Sequence, residues 1–237
     1  MERLHKAWIA ALLALLSACP GLAADFTARR GINLDVWTTW PPEASWGEPG
    51  LLTPYPEWRK VLAPADLEAL AADGFDFVRM PVDPAPWLVG AGFADELYAS
   101  VREAVRMVNA AGPKVVVHLH AMPAGPGRSI GTRELMDDPQ AFDRYVEVLR
   151  GMARALAQED PARVALEVMN EPILGCEGAD AAIWSGRLKR LFAAARASAT
   201  RLTLVLPGAC WSNAEGLAAL DPSDFPDANL MWTFNTY

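Results

Sequence analysis

Past residue 25 the chain alternates two kinds of pattern. Short apolar runs come first: GINLDVW (31–37), FDFVRMPV (75–82), KVVVHLH (114–120), VALEVMN (164–170), LTLVLPG (202–208) and LMWTFN (230–235). They are rich in Val, Leu, Ile and Phe and lack a clean alternation of apolar and polar positions. Strands buried on both faces of a parallel sheet have that pattern. Between them apolar residues recur every three or four positions, which predicts helices. PADLEALAADG (64–74) opens on Pro64 and closes on Gly74, the expected helix punctuation. The stretch 94–112 puts Leu97, Val101, Val105 and Val108 on one face, and 138–158 does the same with Phe142, Val146, Leu149, Met152 and Leu156. A helix over 181–199 carries Trp184, Leu188, Leu191 and Phe192, and a shorter one is predicted over 213–220.

Strands alternating with helices predict a parallel α/β architecture. No Gly-rich phosphate loop follows the first run, which counts against the dinucleotide-binding form of the open sheet. Polar residues gather where the runs end: Asn33, Arg79, His120, Asn170, Glu171 and Asn235. In a (β/α)8 barrel the C-terminal rim of the strands is where chemistry is built, and the expected fold is that barrel. A closed barrel needs eight strands and only six runs are found. The expectation is therefore an incomplete chain that lacks the last two βα units.

The first 24 residues predict an export signal. MERLHK is a short basic segment, and AWIAALLALLSA (7–18) is an apolar run too short to span a bilayer comfortably. Small residues at GLAAD allow cleavage after Ala23 or Ala24. LSAC (16–19) equally fits a bacterial lipobox, in which the signal ends at residue 18 and Cys19 becomes a lipidated N-terminus, the one route to the membrane. The expected division is thus a signal over 1–24 and one barrel domain over 25–237, exported to the periplasm or beyond. An oxidising compartment allows Cys176 and Cys210 to pair, since each follows a predicted strand and the two strands are consecutive. Three His in all, one of them in the leader, argue against a metal centre, and no cofactor is expected. A net charge of -8 argues against a nucleic-acid partner. The composition, 52% hydrophobic and 21% charged, suits a single globular domain, expected to be monomeric. Nine Trp is a high count; several must fill the core, and their flat faces with one polar handle also suit stacking on sugar rings.

Taken together, NEP (170–172) after the fourth run, RGINL (30–34) on the first, VRMPV (78–82) on the second and LH (119–120) on the third resemble the glycoside hydrolases of family 5, the cellulase family of retaining β-glycosidases. The resemblance runs from RGINL to FNTY (234–237). It implies an oligosaccharide or β-linked polysaccharide as substrate. It implies that Glu171 is the general acid/base, protonating the departing glycosidic oxygen and then deprotonating water. By the same resemblance Asn170 bonds the sugar 2-hydroxyl, Arg79 holds the nucleophilic carboxylate, His120 lines the site and Tyr237 sits against the nucleophile. Trp211, Trp40 and Trp46 are candidate stacking platforms. The chain departs from the family pattern twice. Asn235 stands where the family has a His, and the nucleophile, a Glu on the seventh strand, has no counterpart. Asp35 and Asp83 lie near strand ends, but on the wrong strands. A non-catalytic carbohydrate-binding protein on the same fold is the alternative, which the Trp count and rim amides serve equally well.

Overall fold

Each of the six apolar runs contains a strand in the structure, a computed structural model that describes residues 26–34, 40–48, 62–90 and 92–236. The strands are β1 Gly31–Asn33, β2 Phe77–Val82, β3 Lys114–Leu119, β4 Val164–Glu167, β5 Thr203–Pro207 and β6 Leu230–Thr233. They form one sheet in sequence order, and every neighbouring pair is parallel. Helices connect them: α1 Pro64–Ala72, α2 Ala85–Leu88, α3 Ala94–Ala110, α4 Thr132–Asp137, α5 Pro139–Leu156, α6 Gly178–Ser198 and α7 Ala214–Ala218. The sheet is the wall of a (β/α)8 barrel with six of its βα units, as the sequence predicts. Among the described residues β1 pairs only with β2, and β6 only with β5. The leader, Cys19, Asp35 and Tyr237 lie outside the described residues.

Two apolar clusters show which way each strand residue faces. Val115, Val117 and Leu119 join the main core under the helices, with Leu166, Leu204 and Leu206 from the next two strands. The residues between them, Val116, Ala165 and Val205, form a second cluster with Phe26. That is the period of two expected of a strand, hidden in the sequence because both faces are dry. Phe77, Val116, Ala165 and Val205 thus floor the concave face. One step nearer the rim, in the same alternation, come Arg79, His118 and Glu167.

The helices hold the strand ends that matter. In α5, Pro139 sits at the first position and the Asp138 side chain caps the amide of Gln140. Its buried Tyr145 donates to the carbonyl of Val168 at 2.8 Å, fixing the chain just before Asn170 and Glu171. From α6, Trp184 is fully buried and donates to the carbonyl of Pro207 at 3.1 Å, fixing the end of β5. At the start of α7, a Cβ on Gly216 would stand 2.1 Å from the carbonyl oxygen of Ala209, so only glycine lets the helix approach the strand end this closely. The short helices α2 and α4 are not predicted from sequence, since four or six residues show no period. The fourth strand stops at Glu167, three residues earlier than predicted. Asn170 still donates its amide to Leu119, but Glu171 turns to a positive φ of 42° and Pro172 has no amide to give.

Candidate active site

The strand end at Asn170–Glu171 is the centre of the site. Asn170 is buried, and Glu171 is half-buried and held left-handed, a conformation costing on the order of 1–3 kcal/mol in a non-glycine residue. Such strain survives only where the surroundings impose it. Here they do so from both sides: the Asn170 amide donates to β3, and Asn235 beyond β6 donates its side-chain amide to Glu171 Oε1 at 2.7 Å. The same Asn235 Nδ2 lies 3.3 Å from the carbonyl of Trp211, and the Asn235 backbone amide donates to Ser212. Asn235 therefore ties the ends of β4, β5 and β6 together at the carboxylate. An Asn at this position can bond either a sugar or a carboxylate, and in the structure its side-chain amide is on the carboxylate of Glu171.

Below the rim is a polar layer. Arg79 donates from Nε to Glu167 Oε2 at 2.8 Å and from Nη2 to Glu167 Oε1 at 2.7 Å. Nη2 also donates to Asn170 Oδ1 at 2.8 Å. The expected partner of Arg79 was a nucleophile from another strand; in this structure the carboxylate on its guanidinium is Glu167. Sequence reasoning missed Glu167, though the signal was available. An acidic residue inside the dry run VALEVM requires a cationic partner, because a buried lone carboxylate is expensive. His118 lies opposite Glu167 in the β3–β4 register, fully buried, with its ring 5.3 Å from that of the half-buried His120. Burial, with Arg79 and His120 adding to it, pushes the His118 imidazole well below its usual pKa, so the ring is neutral.

The loops around the rim are anchored. Cys176, after β4, and Cys210, after β5, are joined by a disulfide. Cys210 donates its amide to Leu174 and Trp211 to Pro172, so the two loops also pair through their backbones. Cys210, Trp211 and Ser212 are three consecutive non-glycine residues with φ near 60°. This left-handed turn lifts Trp211 outward, 51% exposed, beside a cavity of about 230 Å³ that it lines with Ile173, Pro123, Thr132 and Arg133. Trp211 is thus placed where an aromatic platform is accessible. Trp40 and Trp46 are not. They are 5% and 3% exposed, and their indole N–H groups are spent on the carbonyls of Asp83 and Pro41. Each is turned inward and gives its one donor to a backbone carbonyl rather than to a ligand. Asp83 is likewise structural: it pairs with Arg128 and caps the amide of Ala85.

The structure therefore brings Glu171, Asn170, Arg79, Asn235 and Trp211 to one rim, with His120 at the end of β3 on the same face. Among the described residues no group of His, Cys, Asp and Glu could hold a metal ion. Residues 45–237 match the family described as cellulase, glycosyl hydrolase family 5. No curated protein matches the chain. Among solved structures, the chain is similar to Cel5A of Thermotoga maritima in complex with mannotriose, at 19% identity and a TM-score of 0.62, covering 91% of this chain and 61% of that one. It is similar to the cellulose synthase subunit Z of Clostridioides difficile, at 16% identity and a TM-score of 0.63, covering 88% of this chain and 61% of that one. A broad-specificity endoglucanase of an uncultured bacterium gives 18% identity and a TM-score of 0.61, with 88% and 65% covered. The chain spans 61% of the length of the first of these.

Proposed function

The chain belongs to glycosyl hydrolase family 5, the cellulase family, and from that premise we propose that the protein is an exported retaining hydrolase of a β-linked polysaccharide, with Glu171 as general acid/base. The observation that carries the proposal is the rim of β4. A carboxylate stands on a strained, doubly anchored backbone beside a buried amide, with one oxygen held by Asn235. A rigid mount is what proton transfer to a glycosidic oxygen requires, since the acid must lie within hydrogen-bond reach of the leaving oxygen. Asn170 takes the sugar hydroxyl nearest the cleaved bond, His120 lines the same face, and Trp211 stacks on a sugar beyond it. The structures of Thermotoga maritima Cel5A with cellobiose and with mannotriose lend support to both glucan and mannan as substrate classes.

Double displacement also requires a nucleophilic carboxylate about 5 Å from the acid. The nearest acid along β4, Glu167, is committed to Arg79 and so does not serve. On the family pattern the nucleophile is a Glu on a seventh strand, and Tyr237 stands against it. That commitment of Arg79 is also the one observation favouring a second reading, a carbohydrate-binding protein without catalysis. The test is hydrolysis of soluble β-glucan and β-mannan by the full-length protein. The expected outcome is turnover with the β-anomer formed first, and a loss of two to four orders of magnitude in Glu171→Gln with ligand binding retained. Binding without turnover in the parent protein supports the second reading. Unchanged turnover in Glu171→Gln removes Glu171 from its role.

A further inference from the structure

We propose that Glu167 is a positioning residue that sets, through Arg79, which end of the Asn170 amide faces the substrate. The inference rests on the hydrolase reading for its kinetic consequence, but not for its geometry.

Glu167 is 2% exposed on the last residue of β4, facing the concave layer. Both of its oxygens are taken by Arg79, one from Nε and one from Nη2. Two parallel charge-assisted bonds lock the guanidinium plane, which a single bond would leave free to swivel. A guanidinium nitrogen carries its hydrogens in that plane, so once one Nη2 hydrogen lies on Glu167 the direction of the other is fixed. It points to Asn170 Oδ1, 2.8 Å away. Arginine donates and never accepts. The amide of Asn170 therefore has one stable orientation, with oxygen on Arg79 and the NH2 group turned away from it. The flipped amide would set N–H against N–H in a residue only 7% exposed, leaving both donors without an acceptor there.

Asn170 consequently offers the site two donors and no acceptor. The group it recognises is an acceptor oxygen, such as the lone pair of a ring hydroxyl beside the reacting carbon. Without the fork of Glu167, either orientation of the amide becomes accessible, and part of the molecules would present an oxygen to that hydroxyl instead. Glu167 touches no substrate and acts only through this chain of three residues.

The experiment compares two aryl β-glycosides, one with the 2-hydroxyl and one lacking it, in the full-length protein and in two variants. Glu167→Gln keeps the shape but presents an N–H where the fork needs an acceptor. Glu167→Asp keeps the charge but withdraws it by one methylene, and serves where Glu167→Gln does not fold. The expected result is a roughly tenfold loss of kcat, with KM little changed, on the hydroxylated glycoside, the effect of one hydrogen bond lost in the transition state. The 2-deoxy glycoside should lose less than about twofold. Equal losses on both substrates, or no loss on either, overturn the inference. A second readout needs no activity: the side-chain N–H pair of Asn170, identified by its disappearance in Asn170→Ala, should shift in nitrogen–proton correlation spectra of both variants, and an unmoved pair overturns the inference. If the parent protein hydrolyses neither glycoside, the hydrolase reading falls, and the Asn170 signals alone decide the role of Glu167.

Discussion

His118 is the one residue of the polar layer whose environment favours a single protonation state and offers it nothing in return. Neither ring nitrogen has a hydrogen-bond partner among the described residues. Arg79 and His120 face it from the neighbouring positions and Glu167 lies across the register, yet Glu167 is already engaged by Arg79. The folded-state pKa is thus depressed while the unfolded chain titrates near its ordinary value of about 6.5. The sign follows. At pH 7.5 both states are neutral at this ring and nothing is lost. As pH falls below about 6.5 the unfolded state takes up a proton that the folded state refuses, and stability declines by up to about 1.4 kcal/mol per pH unit. Chemical denaturation at pH 7.5 and 5.5 checks this. Asp83, buried and raised to about 6, works in the opposite direction over the same window, so the comparison is between proteins: the parent should lose about 1 kcal/mol more than His118→Phe, which has no proton to take up at that position. Equal losses would place the acid sensitivity elsewhere.

Between residue and fold lie the loops that follow β4 and β5, and they work as one element. The disulfide spans 34 positions of sequence, and two backbone bonds run beside it from Cys210 and Trp211 to Leu174 and Pro172. The left-handed turn Cys210–Ser212 costs roughly 1–2 kcal/mol at each of its residues. The ties around it hold it: the disulfide and the two backbone bonds on one side, the Asn213 cap of α7 after, and Asn235 above. Replacing both cysteines by serine should lower the unfolding free energy by about 4 kcal/mol, as expected for a cross-link closing a loop of this length. Trp211, freed from its turn, should show altered fluorescence at temperatures where the rest of the fold persists. A double variant as stable as the parent would mean that the backbone pairs alone hold the turn. Little of this element is legible in the sequence. The two cysteines are visible, but ACWSN contains no glycine to announce a positive φ, and the turn exists because tertiary ties impose it. Trp40 and Trp46 illustrate the same limit. Whether a loop aromatic faces a sugar or a buried carbonyl depends on what folds beneath it, and nothing local to WPPEASW encodes that.

For the molecule as a whole, the alternation of runs and amphipathic stretches carried most of the information, because each βα unit buries its own helix face on its own strand. Five predicted helices and six predicted strands are found where the period places them, to within a few residues at their ends. The concave layer was only partly legible. Arg79 and Asn170 stand out as polar residues at strand ends, whereas Glu167 lies one step inside and becomes meaningful only when two strands away Arg79 turns toward it. The same parallel order leaves a physical consequence at the sheet's two sides. β1 and β6 each have one described neighbour, and Ile32, Trp232 and Phe234 near them are 37%, 36% and 52% exposed. Unpaired strand backbone beside exposed apolar side chains is a template for another strand. Among the described residues nothing pairs with the outer side of either strand. Sedimentation of the 237-residue chain at micromolar concentration should show dimers and larger species, and Ile32→Lys with Trp232→Lys should shift the distribution toward monomer, since a desolvated lysine on an edge opposes pairing. A chain that sediments as a monomer without those lysines would mean that the two sides are already satisfied, and the open-barrel description would then have to give way to one in which β1 and β6 are covered.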